Sequence, residues 1–253
     1  MYKVSVLGAG TWGSALAILL ANNGHDVMMW TKIEKEAQSI EENRDNLINL
    51  PGAKLPKNVK VTLDLEEACK DKDIIVMAVA SPYIKATAKE AKPFIKKGQI
   101  IVNVSKGLEE LTLKTLSELL EDILPEADVA VLSGPSHAEE VSKHIPTTVV
   151  VGSKTKETAR FIQDVFMSEV FRVYISPDIL GIELGAALKN VIALAAGVVD
   201  GLGLGDNTKA ALLTRGMAEI TRLGVEMGGN METFAGLSGI GDLFVTCSST
   251  HSR

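Results

Sequence analysis

The stretch from residue 3 to residue 24, KVSVLGAGTWGSALAILLANNG, decides the fold of this 253-residue chain. Its first five residues form a short apolar run typical of a β-strand, and SALAILLANNG has a helical pattern that ends at a glycine. Between the two, Gly8, Gly10 and Gly13 stand at the G-x-G-x-x-G spacing. A glycine fingerprint between a strand and a helix predicts a dinucleotide-binding α/β unit.

Each of these glycines has a separate task in such a unit. Gly8 allows the tight turn, Gly10 lets the backbone approach a pyrophosphate, and Gly13 lets the helix pack closely on the strand. The N-terminus of the helix offers N–H groups and the positive end of its dipole to that pyrophosphate. The expected cofactor is therefore NADP or NAD.

The end of the second predicted strand, residues 26–30, bears on which dinucleotide binds. An NAD-specific site usually carries Asp or Glu there, because the acid accepts hydrogen bonds from the ribose 2′-hydroxyl. Here the strand is followed by Thr31, Lys32 and Ile33, with no acid until Glu34. Lys32 could pair with a 2′-phosphate, which mildly favours NADP. An ordinary exposed Lys32 would leave NAD open as well.

Strand and helix patterns alternate as far as Pro177. Strands are predicted at residues 3–7, 26–30, 60–63, 74–80, 100–104, 129–133, 147–151 and 171–175. Such alternation predicts a Rossmann-like, mostly parallel, doubly wound sheet. After Pro177 only helical periodicity remains, so we expect a dinucleotide-binding domain over residues 1–177 and an all-helical domain over residues 178–253.

Composition limits the class of protein. Hydrophobic residues make up 46% of the chain, which is typical of a soluble globular protein with a substantial core. The formal net charge of −6 argues against a nucleic-acid binder. With two cysteines and a first strand too close to the N-terminus for a signal peptide, we expect a reducing cytoplasm. Lys189, Asn190 and Asp200 interrupt the most apolar stretch, so no membrane span is predicted.

Lys189 is an unexpected charge in the apolar helical stretch GIELGAALKNVIALAAGVVD, residues 181–200. Burial disfavours the charged form of lysine, so a buried Lys189 could exchange a proton with a substrate beside it. The alternative is that Lys189 lies on the wet face of the helix, with its stem along apolar neighbours. Lys189 is the first candidate for a catalytic residue.

Polar residues follow several predicted strands, at the edge where ligands bind in open α/β sheets. Ser81 and Pro82 follow one strand, Lys106 follows the next, and the turn containing Gly134 and Ser136 follows a third. Lys106 and the Ser136 turn could together hold an anion, through one charge and several N–H donors. The four histidines are not spaced as metal ligands, so no metal is expected.

Six blocks carry a resemblance to a known family: GAGTWGSALA, SKGLE, LSGPSHAEEV, GALKNVIALAAG, TRGMAEI and GLSGIGDLFVTC. Together they resemble the bacterial NAD(P)-dependent glycerol-3-phosphate dehydrogenases. The resemblance implies reversible reduction of dihydroxyacetone phosphate to sn-glycerol 3-phosphate, which feeds phospholipid synthesis. It also implies that Lys189 accepts the proton in oxidation and donates it in reduction.

The resemblance further implies two sets of binding residues. The positions that match cofactor contacts, beside the glycines, are Thr11, Trp12, Lys32, Lys106, Ala138 and Arg253. The positions that match substrate contacts are Lys106, Gly134, Ser136, Lys189, Asp242, Ser252 and Arg253. Asp242 could instead cap the helix that follows Gly241.

Two departures from the family pattern leave alternatives open. Ile33 stands where the family commonly has a second basic residue, which weakens the case for NADP. The family pattern continues beyond Arg253, so we expect the helical domain to be incomplete, as a fragment or as a shortened form. Uncovered apolar surface would then favour a homodimer. The alternatives are a related hydroxy-acid or hydroxyacyl dehydrogenase, and a catalytically impaired dinucleotide-binding protein.

Overall fold

The computed structural model describes residues 1–249. The strands are β1 (Lys3–Leu7), β2 (Asp26–Trp30), β3 (Val59–Thr62), β4 (Ile74–Met77), β5 (Ile100–Asn103), β6 (Asp128–Ser133), β7 (Thr147–Ser153) and β8 (Phe171–Ser176). The helices are α1 (Thr11–Asn22), α2 (Glu34–Asn43), α3 (Leu65–Cys69), α4 (Ser81–Ala91), α5 (Leu116–Ile123), α6 (Ala138–Val141), α7 (Lys156–Phe166), α8 (Ile179–Gly201), α9 (Gly205–Glu226), α10 (Met231–Phe234) and α11 (Asp242–Ser248). A 3₁₀ turn spans Lys92–Phe94 and a π-helical turn spans Leu237–Gly241.

The eight strands form one sheet in the order β3-β2-β1-β4-β5-β6-β7-β8. All neighbours pair in parallel except β6 and β7, which are antiparallel. The prediction of a Rossmann-like, mostly parallel sheet followed by helices is confirmed. The chain reverses direction across the sheet between β1 and β4, and ligands of doubly wound sheets bind at such a switch point.

Apolar residues cover both faces of the sheet, as the runs of β-branched residues predict. In β4, Val76 packs in the layer that also buries Val4 and helix α1, whereas Ile75 packs in the opposite layer with Leu7 and Ile101. Successive side chains of a strand point to opposite faces, so one short strand supplies both layers. The strand ends are thereby held rigidly under the turns that follow them.

The predicted strand over residues 74–80 is shorter in the structure, where β4 ends at Met77. The backbone of Ala78 and Val79 leaves the sheet to pass the glycine turn, and a Cβ built on Gly8 would lie 2.8 Å from both. Helix α4 then begins at Ser81, with Pro82 in its first turn. The close approach to Gly8 accounts for the early end of the strand.

Helix α8 joins the helical residues to the sheet. It packs against β6 and β7 on one side and against α9, α10 and α11 on another. Its Ile182 is buried with Val131 of β6 and Val150 of β7, and its Leu184 is buried with Ile220 of α9. Helix α8 therefore packs against both the sheet and the other C-terminal helices.

By length and hydropathy alone, α8 could cross a membrane. Its most apolar 18-residue window has a mean hydropathy of 1.7, and 39% of that window is buried. The expectation that Lys189, Asn190 and Asp200 interrupt the stretch enough to exclude a span on composition is therefore wrong. The packing of α8 against the sheet and the other helices, with Glu183 and Lys189 buried, is typical of the core helix of a globular protein.

The glycine turn predicts a contrast between two substitutions. A Cβ on Gly13 would lie 2.0 Å from the carbonyl oxygen of Gly8, whereas a Cβ on Gly10 would meet nothing within 4 Å. We expect Gly13→Ala to lower the free energy of unfolding by about 1–3 kcal/mol, because the turn and the helix must move apart. Gly10→Ala serves as the matched control and should cost less than about 1 kcal/mol. Urea denaturation measures both, and equal losses would contradict this account of the turn.

Candidate active site

The glycine turn fits a pyrophosphate. Gly8 has a φ of +120°, which favours glycine, and its N–H donates to the carbonyl of Trp30 at 2.9 Å. Helix α1 has no side-chain N-cap and no acid in its first turn. The space in front of Gly10 is open. An uncapped helix N-terminus behind an open glycine favours an anionic group.

Two asparagines from the segment after α2 support the turn. Asn46 Nδ2 donates to the carbonyl oxygen of Ala9 at 2.6 Å, and Asn49 Nδ2 donates to the same oxygen at 3.0 Å. The Thr11 hydroxyl donates to the Asn49 carbonyl at 2.9 Å. These bonds fix the position of Thr11, which matches a cofactor contact.

A cavity of about 520 Å³, which we call the site cavity, lies in front of the turn. Its lining includes seven of the predicted site residues: Gly10, Thr11, Trp12, Lys106, Ser136, Ala138 and Lys189. Gly8 and Gly13 do not line the cavity but pack against each other in the turn. Gly134 and Asp242 do not line it either, and both accept hydrogen bonds from Lys106 Nζ. Lys32 lies apart, at the end of β2, and the predicted contacts Ser252 and Arg253 lie outside the described residues.

The Asp242 carboxylate is the centre of the charged cluster beside this cavity. Its Oδ1 accepts from Lys189 Nζ at 2.6 Å, and its Oδ2 accepts from Lys106 Nζ at 2.5 Å. Asp242 is 1% exposed and Lys189 is 6% exposed, so Lys189 does not lie on a wet helix face. Asp242 is the first residue of α11 and its carboxylate is bonded to the two ammonium groups, which contradicts the alternative of a simple helix cap.

The surroundings of Lys189 lower its pKa from the ordinary value of 10.5 to about 8. Burial is the largest cause, and the positive charge of Lys106 lowers the pKa further. The Asp242 carboxylate opposes both effects. A lysine with a pKa near 8 can both give and take a proton close to neutral pH.

Thr246 belongs to this cluster, although no sequence motif marks it as a site residue. Its hydroxyl oxygen accepts from Lys189 Nζ at 2.6 Å, and the hydroxyl donates to the Asp242 carbonyl at 2.7 Å. Thr246 follows Asp242 by four residues on α11, so both face α8. That spacing is the one signal that could have identified it. Asn190, the residue after Lys189 on α8, is exposed at the wall of the site cavity.

Glycines allow α11 to begin beside α8. A Cβ on Gly185 of α8 would lie 2.7 Å from the carbonyl oxygen of Ser238, and a Cβ on Gly239 would lie 2.0 Å from that of Phe234. Gly185 packs against the π-helical turn over Leu237–Gly241, and Gly239 is part of that turn. The GLSGIGD block therefore fixes the point at which Asp242 meets Lys189.

Lys106 and Ser136 converge on one carbonyl group. Lys106 Nζ donates to the Gly134 carbonyl at 3.3 Å, and the Ser136 hydroxyl donates to it at 3.0 Å. Gly134 has a φ of +143°, which favours glycine in this turn. A cation and a hydroxyl side by side at the cavity wall are suited to an anionic substrate group.

The end of β2 has a different set of contacts from the one expected. Glu36, not Glu34, is the buried acid there, and it accepts from the Thr31 hydroxyl at 2.5 Å and from Asn49 Nδ2 at 2.7 Å. Lys32 Nζ lies 2.7 Å from a Glu90 carboxylate oxygen, and both side chains are about half exposed. Lys32 is therefore held by an acid of this chain at the position considered for a 2′-phosphate.

Other features of the described residues do not compete with this site. A larger groove of about 870 Å³ between α9 and α11 is lined mainly by apolar side chains, and its charged residues are Arg222 and Glu226. It lacks the paired lysines that mark the site cavity. No group of three or more metal-ligating side chains occurs within residues 1–249.

Three features together define the class of protein as a nicotinamide-dinucleotide dehydrogenase. They are the doubly wound sheet, the uncapped helix behind the glycine turn, and the buried Lys189 at the site cavity. Two family models match the chain. They describe the N-terminus of NAD-dependent glycerol-3-phosphate dehydrogenase, over residues 3–159, and its C-terminus, over residues 178–253. The chain belongs to this family, as the sequence blocks indicated, and it is an NAD(P)-dependent oxidoreductase.

Individual relatives agree with the family models. The chain is 58% identical over 253 residues to glycerol-3-phosphate dehydrogenase (NAD(P)+) of Agathobacter rectalis, covering 100% of this chain and 75% of the relative. It is 58% identical to the enzyme of the same name from Fusobacterium nucleatum, covering 76% of that protein. The crystal structure of glycerol-3-phosphate dehydrogenase from Coxiella burnetii superposes with a TM-score of 0.96 at 35% identity, over 100% of this chain and 77% of that one.

The Lys32–Glu90 pair predicts an effect on cofactor preference. Glu90→Gln should release Lys32 for a 2′-phosphate and lower the KM for NADPH by about two- to fivefold, which is the range of a surface ion pair. The KM for NADH should not change, because NADH has no 2′-phosphate. Steady-state kinetics with each dinucleotide measures both, and Lys32→Ala, which should raise the KM for NADPH alone, is the control. Equal changes for the two dinucleotides would show that Lys32 does not read the 2′-position.

Proposed function

We propose that this chain catalyses the reversible, NAD(P)-dependent reduction of dihydroxyacetone phosphate to sn-glycerol 3-phosphate, a precursor for glycerophospholipid synthesis. The observation that carries the proposal is the cluster of Lys189, Asp242 and Lys106 across the site cavity from the glycine turn. It offers a proton and an anion site within one cavity. The names of the relatives supply the substrate.

Residues 1–177 are proposed as the dinucleotide domain and residues 178–253 as the substrate domain. When bound, the dinucleotide supplies a hydride in reduction and accepts one in oxidation. The residues proposed to hold it are Gly8, Gly10, Thr11, Trp12, Gly13, Lys32, Lys106, Ala138 and Arg253. The open turn and the uncapped start of α1 support this assignment.

Lys189 is proposed as the proton donor in reduction and the proton acceptor in oxidation. Hydride transfer to the C2 carbonyl develops alkoxide charge on its oxygen, and the ammonium of Lys189 can stabilise that charge and then give it a proton. Asp242 and Thr246 hold Nζ in place from two sides. The pKa near 8 makes the return of the proton in oxidation feasible.

The substrate phosphate needs local positive groups, because the chain as a whole carries a net charge of −6. Lys106 and Ser136 supply a cation and a hydroxyl at the cavity wall. The full set proposed to contact substrate is Lys106, Gly134, Ser136, Lys189, Asp242, Ser252 and Arg253. A guanidinium such as that of Arg253 binds phosphate in a bidentate manner.

The alternatives are less well supported. A related hydroxy-acid or hydroxyacyl dehydrogenase is not favoured, because the relatives at 58% identity bear the glycerol-3-phosphate dehydrogenase name. Cys69 and Cys247 are buried free thiols, which supports a reducing compartment such as the cytoplasm. The homodimer and the lack of nucleic-acid binding stay predictions from the sequence.

The first test of the proposal is Lys189→Ala. Loss of the general acid should lower kcat for dihydroxyacetone phosphate by about 10²–10⁴-fold with either NADPH or NADH. Nicotinamide absorbance follows the reaction, and fluorescence titration follows dinucleotide binding, which should remain. Lys85→Ala is the matched control, because Lys85 pairs with Glu109 away from the site cavity. A wild type no faster than Lys189→Ala, with NADPH still bound, would leave the catalytically impaired dinucleotide-binding protein as the correct alternative.

The lowered pKa of Lys189 predicts opposite pH profiles for the two directions. Reduction needs the ammonium form, so its kcat/KM should fall as pH rises through about 8. Oxidation needs the neutral amine, so its kcat/KM should rise through the same pH. Rates measured from about pH 6 to 10 give both limbs. In Lys189→Arg, whose guanidinium stays protonated, both inflections near pH 8 should disappear, and their persistence would assign them to another group.

A further inference from the structure

Glu183 is a buried carboxylate that the proposed chemistry does not use. It lies on α8 at 4% exposure and does not line the site cavity. Its Oε1 accepts from Ser117 N at 3.0 Å and from Asn103 Nδ2 at 3.1 Å, and its Oε2 accepts from the Ser117 hydroxyl. Ser117 is in the first turn of α5, so the carboxylate also faces the positive end of that helix.

This burial is costly for the charged form, and burial raises the pKa of Glu183. Among the described residues Glu183 forms no ion pair, and its hydrogen-bond partners are neutral groups. A carboxylate without a cation is an expensive way to fill space in a core, because an apolar side chain of similar size is often at least as stable. What the carboxylate provides is two oxygens that accept from donors on the other part of the chain.

The contact with Asn103 leads to Lys106. Asn103 is the last residue of β5 and is fully buried. Its amide forms two bonds to the backbone of Ser105, with Nδ2 donating to the carbonyl at 3.2 Å and Oδ1 accepting from the N–H at 3.1 Å. Ser105 in turn donates to the Val79 carbonyl at 2.5 Å. The side chain of Asn103 therefore sets the backbone that immediately precedes Lys106.

A closed path of contacts returns to the same helix. From Glu183 it passes through Asn103 and the Ser105 backbone to Lys106, and from Lys106 Nζ to Asp242 and Lys189. Glu183 and Lys189 both belong to α8, so this helix is connected to both ends of the segment from Asn103 to Lys106. Glu183 contacts Asn103 directly, and Lys189 is connected to Lys106 through Asp242.

We infer that Glu183 is a positioning residue: through Asn103 it holds the turn from Asn103 to Lys106 against α8, so that Lys106 Nζ reaches the carboxylate it shares with Lys189. This inference rests on the proposed function, in which Lys106 binds the substrate phosphate. Its specific consequence is that loss of Glu183 displaces Lys106 and impairs binding of the substrate phosphate more than loss of a buried carboxylate outside this path does.

The experiment compares two buried carboxylates of the same helix end. Asp178, which caps α8, accepts from Gly181 N, Asn230 N and the Thr233 hydroxyl, none of which belongs to the path from Glu183 to Lys106. Glu183→Ala and Asp178→Ala each leave buried donors without an acceptor, so both should lower the melting temperature. Glu183→Gln keeps the size and one acceptor oxygen, and it serves as the conservative variant.

We expect Glu183→Ala to raise the KM for dihydroxyacetone phosphate by about tenfold or more, because Lys106 moves away from the substrate phosphate. Glu183→Gln should recover most of that loss, and Asp178→Ala should leave the KM within about twofold of wild type. A Glu183→Ala variant whose KM rises no more than that of Asp178→Ala would assign Glu183 to stability alone.

A crystal structure of Glu183→Gln, and of Glu183→Ala if it folds, tests the inference without relying on activity. The Lys106 Nζ to Asp242 Oδ2 distance, 2.5 Å here, should lengthen in the alanine variant and lengthen by less in the glutamine variant. An unchanged distance and an intact Asn103–Ser105 turn would overturn the inference. A wild type that does not reduce dihydroxyacetone phosphate would instead overturn the proposed function, and the crystallographic comparison would still decide the role of Glu183.

Discussion

One buried carboxylate shared by two ammonium groups is the interaction on which the site depends. Asp242 pairs with Lys106, which follows a strand of the sheet, and with Lys189, which belongs to a helix. The two parts of the chain therefore meet at one carboxylate. Removal of Asp242 would leave two neighbouring cations in a place of low solvent access, which is far more costly than the loss of an exposed ion pair. The close packing of Gly185 and Gly239 serves this contact, because it brings the start of α11 to the wall of α8.

Local patterns made the sheet and the glycine turn predictable. A strand, three glycines and a helix lie within 22 residues, and runs such as IIVM are apolar because they are covered on both faces. The antiparallel pairing of β7 had no such local sign. Lys189 also stood out from the residues alone, since a charge in an apolar helix is unusual, although the wet-face alternative could be removed only by its observed burial.

The remaining site residues depend on contacts between distant parts of the chain. Thr246, Glu36 and Glu183 are ordinary residues in their own segments, and their partners are fixed only when the chain folds. The place of Lys106 after a strand marks it as a candidate, whereas Asp242 follows from the resemblance, and no spacing rule connects two residues that are 136 positions apart. No sequence pattern around Lys32 points to Glu90, because that partner lies on helix α4. Sequence patterns within one helix or strand do not predict which side chains pair between different elements.

The order of strands in the sheet has a consequence for synthesis of the chain. After β4 pairs with β1, each later strand joins the one made immediately before it, from β5 outward to β8. Strand β1 with its glycine turn, and the neighbouring strands β2 and β4, have all been made once residue 77 has left the ribosome. The dinucleotide crevice can therefore form early. Asp242 arrives near the end of these residues. The acid–base centre can thus be assembled only after every strand of the nucleotide-binding sheet has been made.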